Sequence, residues 1–106
     1  MALRELSKEE RDTARKKALA ARMERAQLKQ DFGAGRISFE DVLRRAEGSE
    51  AIARLKTLEL LESLPGVGRV TATRVLEDLG ISENRRIGGL GVKQRSALDK
   101  HLDDLR

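Results

Sequence analysis

The chain of 106 residues has no cysteine, no tryptophan and no tyrosine, and it holds one proline, one histidine and two phenylalanines. Each scarcity removes a class of function. Without cysteine there is no disulfide and no thiolate metal site, and His101 alone builds no imidazole cluster, so an intracellular chain with neither metal nor other cofactor is expected. With Phe32 and Phe39 as the only rings, the base-stacking platforms of RNA-recognition sheets and oligonucleotide-binding barrels are excluded, because both use several exposed aromatics. No apolar run approaches the roughly 18 residues of a bilayer span. The N-terminus shows no apolar signal-peptide core. A cytoplasmic protein that does not engage membranes is expected. No enzyme is expected either. Asp103 and Asp104 are neighbours on a terminal helix and do not face one another, His101 falls on an apolar helix face where histidines are usually packed, and no base accompanies a candidate nucleophile.

What the chain has in quantity is charge, 22 Lys and Arg against 18 Asp and Glu, for a net +4. The surplus is local. Residues 8–31 carry eight bases against five acids and residues 65–100 seven against four, whereas residues 36–64 carry five against six. Two basic segments flanking a slightly acidic one point to a polyanion as partner.

The hydrophobic pattern is helical throughout, with no strand-like alternation. Ser7 and Glu10 have capping-box spacing for a helix over about Lys8 to Phe32, ended by Gly33 and Gly35. Ser38 caps a short helix through about Glu47. After Gly48, Ser49 caps a single helix carrying Ile52, Leu55, Leu58 and Leu61 as far as Leu64. Ala72, Val75, Leu76 and Leu79 mark the next helix, closed by Gly80, and Leu98, His101, Leu102 and Leu105 mark the last. The expectation is an all-α fold of about five helices. A long basic N-terminal helix (residues 1–35) would precede a compact helical domain (36–106). The inward candidates of the first helix are Ala14, Ala18 and Ala21, with Leu28 and Phe32 near its end, so its first half has little to bury and should stand outside the bundle. At about 100° per residue, Arg11, Arg15, Arg22, Arg25 and Lys29 fall in one narrow sector. That stripe is a candidate second polyanion surface, or an ordinary solvated face.

The stretch Leu64-Pro65-Gly66-Val67-Gly68-Arg69 stops one helix and starts another. Proline ends the first, the glycines allow backbone angles and close approaches that side chains bar, and the amides of the following first turn point outward with partial positive charge. A phosphate seated there, with Arg69 beside it, would explain the missing side chains. A tight corner without ligand would show the same glycines. Downstream, Arg85 and Arg86 sit in a second glycine-rich turn, Ile81 to Gly91, before the last helix.

Leu-Pro-Gly-Val-Gly before a helix resembles the helix-hairpin-helix loop that grips duplex backbone. The series of helix, turn, helix, two turns and helix resembles the helix-two-turns-helix module of a small-subunit ribosomal protein and some DNA glycosylases. Over nearly its whole length the chain resembles the actinobacterial integration host factors, small nucleoid-associated proteins unrelated in fold to the two-chain, β-armed integration host factor. The residues that carry this resemblance are Leu6 to Arg11, the Ala-rich basic helix, Leu60 to Gly68, and Gly80-Ile81-Ser82 through Arg85-Arg86 to Gly89-Leu90-Gly91. The resemblance implies non-sequence-specific binding of double-stranded DNA in the nucleoid, DNA bending or compaction, and support of phage integrase complexes. By the match, Ser63, Pro65, Gly66, Val67, Gly68 and Arg69 would touch phosphates, Arg85 and Arg86 would enter or flank the minor groove, and Arg74 and Lys93 would complete the DNA-binding set. The chain departs from its relatives at Thr71 and Gly88, where they tend to be basic. A monomer with two DNA-contacting faces is expected. The competing reading is a ribosomal or RNA-binding protein using the same phosphate grip. It is disfavoured because the ribosomal protein relies on a long basic tail and this chain finishes acidic.

Overall fold

The computed structural model describes residues 5–105; Arg106, part of the acidic finish, lies outside them. Six α-helices and one 3-10 turn follow in order: α1 Lys8–Gly33, α2 Phe39–Gly48, α3 Glu50–Ala53, α4 Thr57–Glu62, α5 Arg69–Asp78, the 3-10 turn Ile87–Gly89, and α6 Val92–Leu105. Among the described residues no strand forms, and no helix is long and apolar enough to cross a membrane.

The serines at helix starts act as their spacing predicts. The Ser7 hydroxyl accepts from the Glu10 amide while the Glu10 carboxylate accepts from the Ser7 amide, and Ser38 with Asp41 repeats the exchange at α2. Ser49 caps α3 through the Ile52 amide, and its hydroxyl donates to Glu24 Oε2 at 2.5 Å, pinning α1 beside it. The bonds from Ser38, its backbone amide first and its hydroxyl second, hold the Asp41 carboxyl below the ordinary carboxylate range.

Leu28 and Phe32 are the residues of α1 buried in the core, in one cluster with Val42, Ile52, Leu60, Leu61, Leu76, Ile87 and Leu98. Ala14 and Ala18 are exposed and Ala21 only half-buried, contrary to the inward role expected of all three. Residues 13–20 of α1 are all exposed, so an alanine face there stays in water. The Cα radius of gyration is 16.0 Å, against about 13 Å for a compact chain of this length. The excess is the projecting arm of α1.

The single helix expected from Ser49 to Leu64 is two short ones. The α-helical hydrogen bonds end with Arg54 N–H to Glu50 O, and Lys56 turns extended, with φ −71° and ψ 136°. The backbone bonds lost at the break are replaced from a distant segment. Thr57 N–H donates to Arg85 O at 3.0 Å and Ile87 N–H donates to Leu55 O at 2.9 Å, making a one-residue antiparallel bridge between Lys56 and Arg86. Periodicity misses this because Ile52, Leu55, Leu58 and Leu61 face the same core on both sides of the break.

Two glycines permit close packing around this frame. A Cβ on Gly33 would run into the Ser63 carbonyl oxygen, so the end of α1 rests on the backbone just before the first turn. A Cβ on Gly88 would lie 2.9 Å from the Ala53 Cβ, which gives packing on α3 as the reason for glycine at that position.

The buried core and the capping box at α2 each generate a testable outcome. Thr57 is fully buried and its hydroxyl has no hydrogen-bond partner among the described residues, so Thr57→Val is expected to raise unfolding free energy by about 1 kcal/mol in urea titrations. A clear loss would show that the hydroxyl has a partner in solution. Because the Asp41 pKa is lowered, its contribution is complete above the ordinary carboxylate range and disappears as pH falls through the lowered value. Amide exchange in the first turn of α2 is therefore expected to accelerate only at acid pH below that range, and not in Asp41→Asn.

Candidate nucleic-acid interface

The first turn is held from within and bare outside. The Ser63 hydroxyl donates to Leu60 O at 2.5 Å, Leu64 N–H donates to Leu61 O, and Val67 N–H donates to Leu64 O. Leu64 and Val67 are buried, whereas Pro65, Gly66 and Gly68 are exposed. Apolar side chains thus anchor the loop and leave backbone at its surface. Gly66 has φ +77°, in the left-handed region where a side chain is strained. Gly68 differs. Its φ is −90° and nothing lies within 4 Å of where its Cβ would be, so nothing inside the protein requires glycine there.

Gly68 is the N-cap of α5, and the first helical bond is Ala72 N–H to Gly68 O at 3.0 Å. The amides of Arg69, Val70 and Thr71 precede that bond, as at any helix start. Here no side chain caps them and no acid stands in the first turn. α6 likewise has no acid in its first turn, and Gln94 Oε1 accepts from the Gly91 amide. Each of α1 to α4 carries at least one carboxylate in its first turn. The two helices that follow the glycine turns are therefore the ones whose partial positive charge is left uncompensated.

The second turn repeats the plan with different parts. Gly80 takes φ +68°, Ile81, Ile87 and Leu90 are buried, and Ser82 to Arg86 lie outside. Arg85 donates through Nη1 to Gly89 O at 3.2 Å and Arg86 through Nη1 to Arg54 O at 3.0 Å. Each guanidinium is aimed by one bond and keeps its other N–H groups. Arg95, absent from the set expected from sequence, donates through Nε to Leu90 O at 3.0 Å and shapes the approach to α6.

The candidate residues fall into distinct settings. Ser63, Arg69 and Lys29 share a cleft of about 530 Å³ with Gln30, Glu59 and Glu62. Lys29, expected on a separate surface, thus adjoins the first turn. Two acids offset the two cations there, so the net positive surface lies at the helix starts and the second turn. Arg74 stands one turn further along α5, on a shallow groove with Arg69, Val70, Thr73 and Glu77. Lys93 is exposed in the first turn of α6. Along α1, Arg11 donates to Leu6 O, Arg15 pairs with Asp12 at 3.1 Å, Arg22 is exposed, and Arg25 turns inward to Ala51 O at 3.4 Å. The charge stripe is continuous on the helix and uneven in its partners. Lys56 and Asn84, which no sequence motif singles out, line a small cleft with Arg69 between the two turns. Only the break after Ala53 brings them there, and periodicity gives no sign of it.

Among the described residues there is no group of three or more His, Asp or Glu side chains that could hold a metal ion. The arrangement offers amide and guanidinium donors to an anion.

Residues 32–102 match the S13-like H2TH domain family, which spans both turns and the helices around them. The integration host factor of Streptomyces coelicolor is 44% identical over 102 residues, covering 96% of this chain and 95% of its own length. That of Mycolicibacterium smegmatis is 43% identical over 103 residues, covering 97% and 98%. A solved structure of sIHF bound to an 8-bp palindromic DNA is similar, with TM-score 0.78 and 43% identity over 81% of this chain and 97% of that one. Identity at this level along nearly the full length, with the domain match, establishes that the chain belongs to the actinobacterial integration host factor family and is built on an S13-like H2TH domain.

Proposed function

We propose that the protein is a non-enzymatic, nucleoid-associated architectural factor that grips double-stranded DNA by its phosphates, without reading base sequence. The observation that carries this reading is the pair of helix starts without a carboxylate. Of the six helices, α5 and α6 follow glycine turns and have no acid in their first turn, and exposed arginines flank both turns. Amides and guanidinium groups directed at phosphate give affinity and register but no sequence information. Arg85 and Arg86, steered by carbonyls of the second turn and of Arg54, are suited to the minor groove, where the base code is degenerate. The relative solved as a complex binds a DNA duplex, which supports the same class of ligand here.

Ser63, Pro65, Gly66, Val67, Gly68 and Arg69 form the first phosphate site in this reading. Val67 acts from below as an anchor and the Ser63 hydroxyl as a turn closer, since its proton is given to Leu60 O. Arg74 and Lys93 extend the grip along α5 and α6. The stripe of Arg11, Arg15, Arg22 and Lys29 reaches the first turn through the cleft at Lys29, so a monomer uses it to follow the same bent duplex or to hold a second one. Bending by such a grip would support integrase assemblies on phage DNA.

The test is a titration against random-sequence duplex DNA and a structured ribosomal RNA of equal length at several salt concentrations. With about five phosphate contacts, the logarithm of affinity should fall by roughly 0.9 per contact for each tenfold rise in salt, with little effect of scrambling the DNA. Preference for the RNA would move the function to the ribosome, where the S13-like domain also fits.

Two mutational outcomes are expected. Arg85→Ala with Arg86→Ala should weaken binding to all duplexes alike and flatten the salt dependence by about two contacts; a loss confined to one sequence would contradict non-specific binding. The glycines should separate. Gly66→Ala should lose about 1–2 kcal/mol of stability because of its left-handed backbone. Gly68→Ala should keep its melting temperature yet bind duplex several-fold more weakly, because its side chain would occupy the phosphate's approach. Equal binding by Gly68→Ala would remove the phosphate account of that turn.

A further inference from the structure

The bridge between Lys56 and Arg86 has a charge that the fold does not explain. Its two flanking hydrogen bonds, Thr57 N–H to Arg85 O and Ile87 N–H to Leu55 O, lie outside the pair, so Lys56 and Arg86 form the non-hydrogen-bonded kind of antiparallel pair. In that geometry the two side chains leave the same face with Cβ atoms about 4.5–5.5 Å apart. Directly opposed like charges destabilise a ladder. Neither residue makes an ion pair among the described residues, whereas the neighbouring Arg54 is paired with Glu50 at 2.6 Å. Arg86 is held in place by its bond to Arg54 O, so it does not swing away from Lys56. Lys56 also lines a small cleft with Arg69 of α5 and Asn84 of the second turn, and the carboxylates of that cleft, Glu59, Glu62 and Glu83, form no ion pair with it among the described residues.

We propose that Lys56 is a further phosphate ligand, and that Lys56 and Arg86 together clamp one backbone phosphate between the sites at the two turns. This rests on the duplex-binding function proposed above and adds a residue to it. An anion shared by the two cations relieves their repulsion, so the strain borne by the free protein is released on binding. Because the pair is built on backbone bonds between segments about 30 residues apart in sequence, the clamp also fixes the spacing of the two turns along the duplex. Lys56 thus acts on affinity and register, not on choice of sequence.

The experiment compares wild type, Lys56→Met, Lys56→Gln and Lys56→Arg. Binding to a random-sequence duplex is measured by fluorescence anisotropy across a salt series, and melting of the free proteins is followed at low and high salt. For Met and Gln the salt slope should fall by about 0.9, one contact, with affinity at low salt reduced several-fold, and Arg should restore both. The free Met and Gln proteins should melt at or above the wild-type temperature at low salt, with the difference fading at high salt as the like charges are screened. If wild type binds duplex and both neutral variants keep its slope, Lys56 is not a ligand and the clamp falls, while the general function stands. If the neutral variants melt several degrees lower, Lys56 is structural and the clamp also falls. If wild type itself does not bind duplex, the proposed function falls, and the clamp with it.

Discussion

Two backbone hydrogen bonds, from the Thr57 amide to the Arg85 carbonyl and from the Ile87 amide to the Leu55 carbonyl, hold the two surface turns to one another. Each turn alone would be a short exposed loop free to drift. Bonded through the extended residue Lys56, the second turn becomes an edge on the segment that leads into the first, and the helix starts of α5 and α6 are carried on one frame. Opening the helix between α3 and α4 is what exposes those bonding groups. The break is therefore part of the site and not a flaw in the bundle. Gly88 against Ala53 and Gly33 against Ser63 serve the same frame, since each lets backbone meet backbone where a side chain would wedge the parts apart.

The charges are then disposed by a simple rule of capping. Where a helix start belongs to the fold, serine and a carboxylate satisfy it, as at α1 and α2. At the starts of α5 and α6, which follow the two candidate turns, the carboxylate is missing and glycine precedes the helix. A resident acid at α5 would compete with phosphate for the same amides, and its charge would repel the partner as well. Stability gained by capping α5 internally would be paid for in binding, which accounts for a chain using the capping box twice and leaving its most conspicuous turn bare.

Much of this is legible in the amino-acid sequence. The capping boxes, the end of α1 at Gly33, the apolar face of α5 and the all-α class all rest on local signals with short reach, namely spacing, propensity and punctuation by glycine. The break at Leu55 is not legible, because a helix interrupted by one extended residue keeps its apolar residues on the core side, and the bonds that drive the break come from Arg85 and Ile87. The inward role expected of Ala14 and Ala18 fails for a related reason: burial depends on whether another element arrives, and none does. At the site, Arg69, Arg85 and Arg86 stand out by their company of glycines. Lys56 carries no such signal, since its place beside Arg86 exists only in three dimensions. Gly68 is legible for the wrong reason. Its residue type suggests a backbone that only glycine can adopt, yet its conformation is open to any residue and its Cα faces open space, so nothing within the described fold demands a bare Cα there.

The distribution of burial along α1 bears on how such a small protein could deform DNA. Its last turns are fixed by Leu28 and Phe32 in the core and by the bonds of Glu24 to Ser49 and of Arg25 to Ala51, while residues 13–20 are exposed. A helix of this length is stiff along its axis, so the arm is a rigid lever fixed at one end to the frame that holds both turns. Cations on such a lever keep a fixed angle to the helix starts of α5 and α6. On the duplex-binding function proposed above, DNA that met the turns and the arm together would have to follow the angle between them, and a straight duplex would do so only by bending, at a cost set by its stiffness and offset by the extra contacts. A flexible basic tail would neutralise as many phosphates without imposing any shape. On that reading, architectural action would depend less on how many cations α1 carries than on the two apolar residues, Leu28 and Phe32, that hold its far end still.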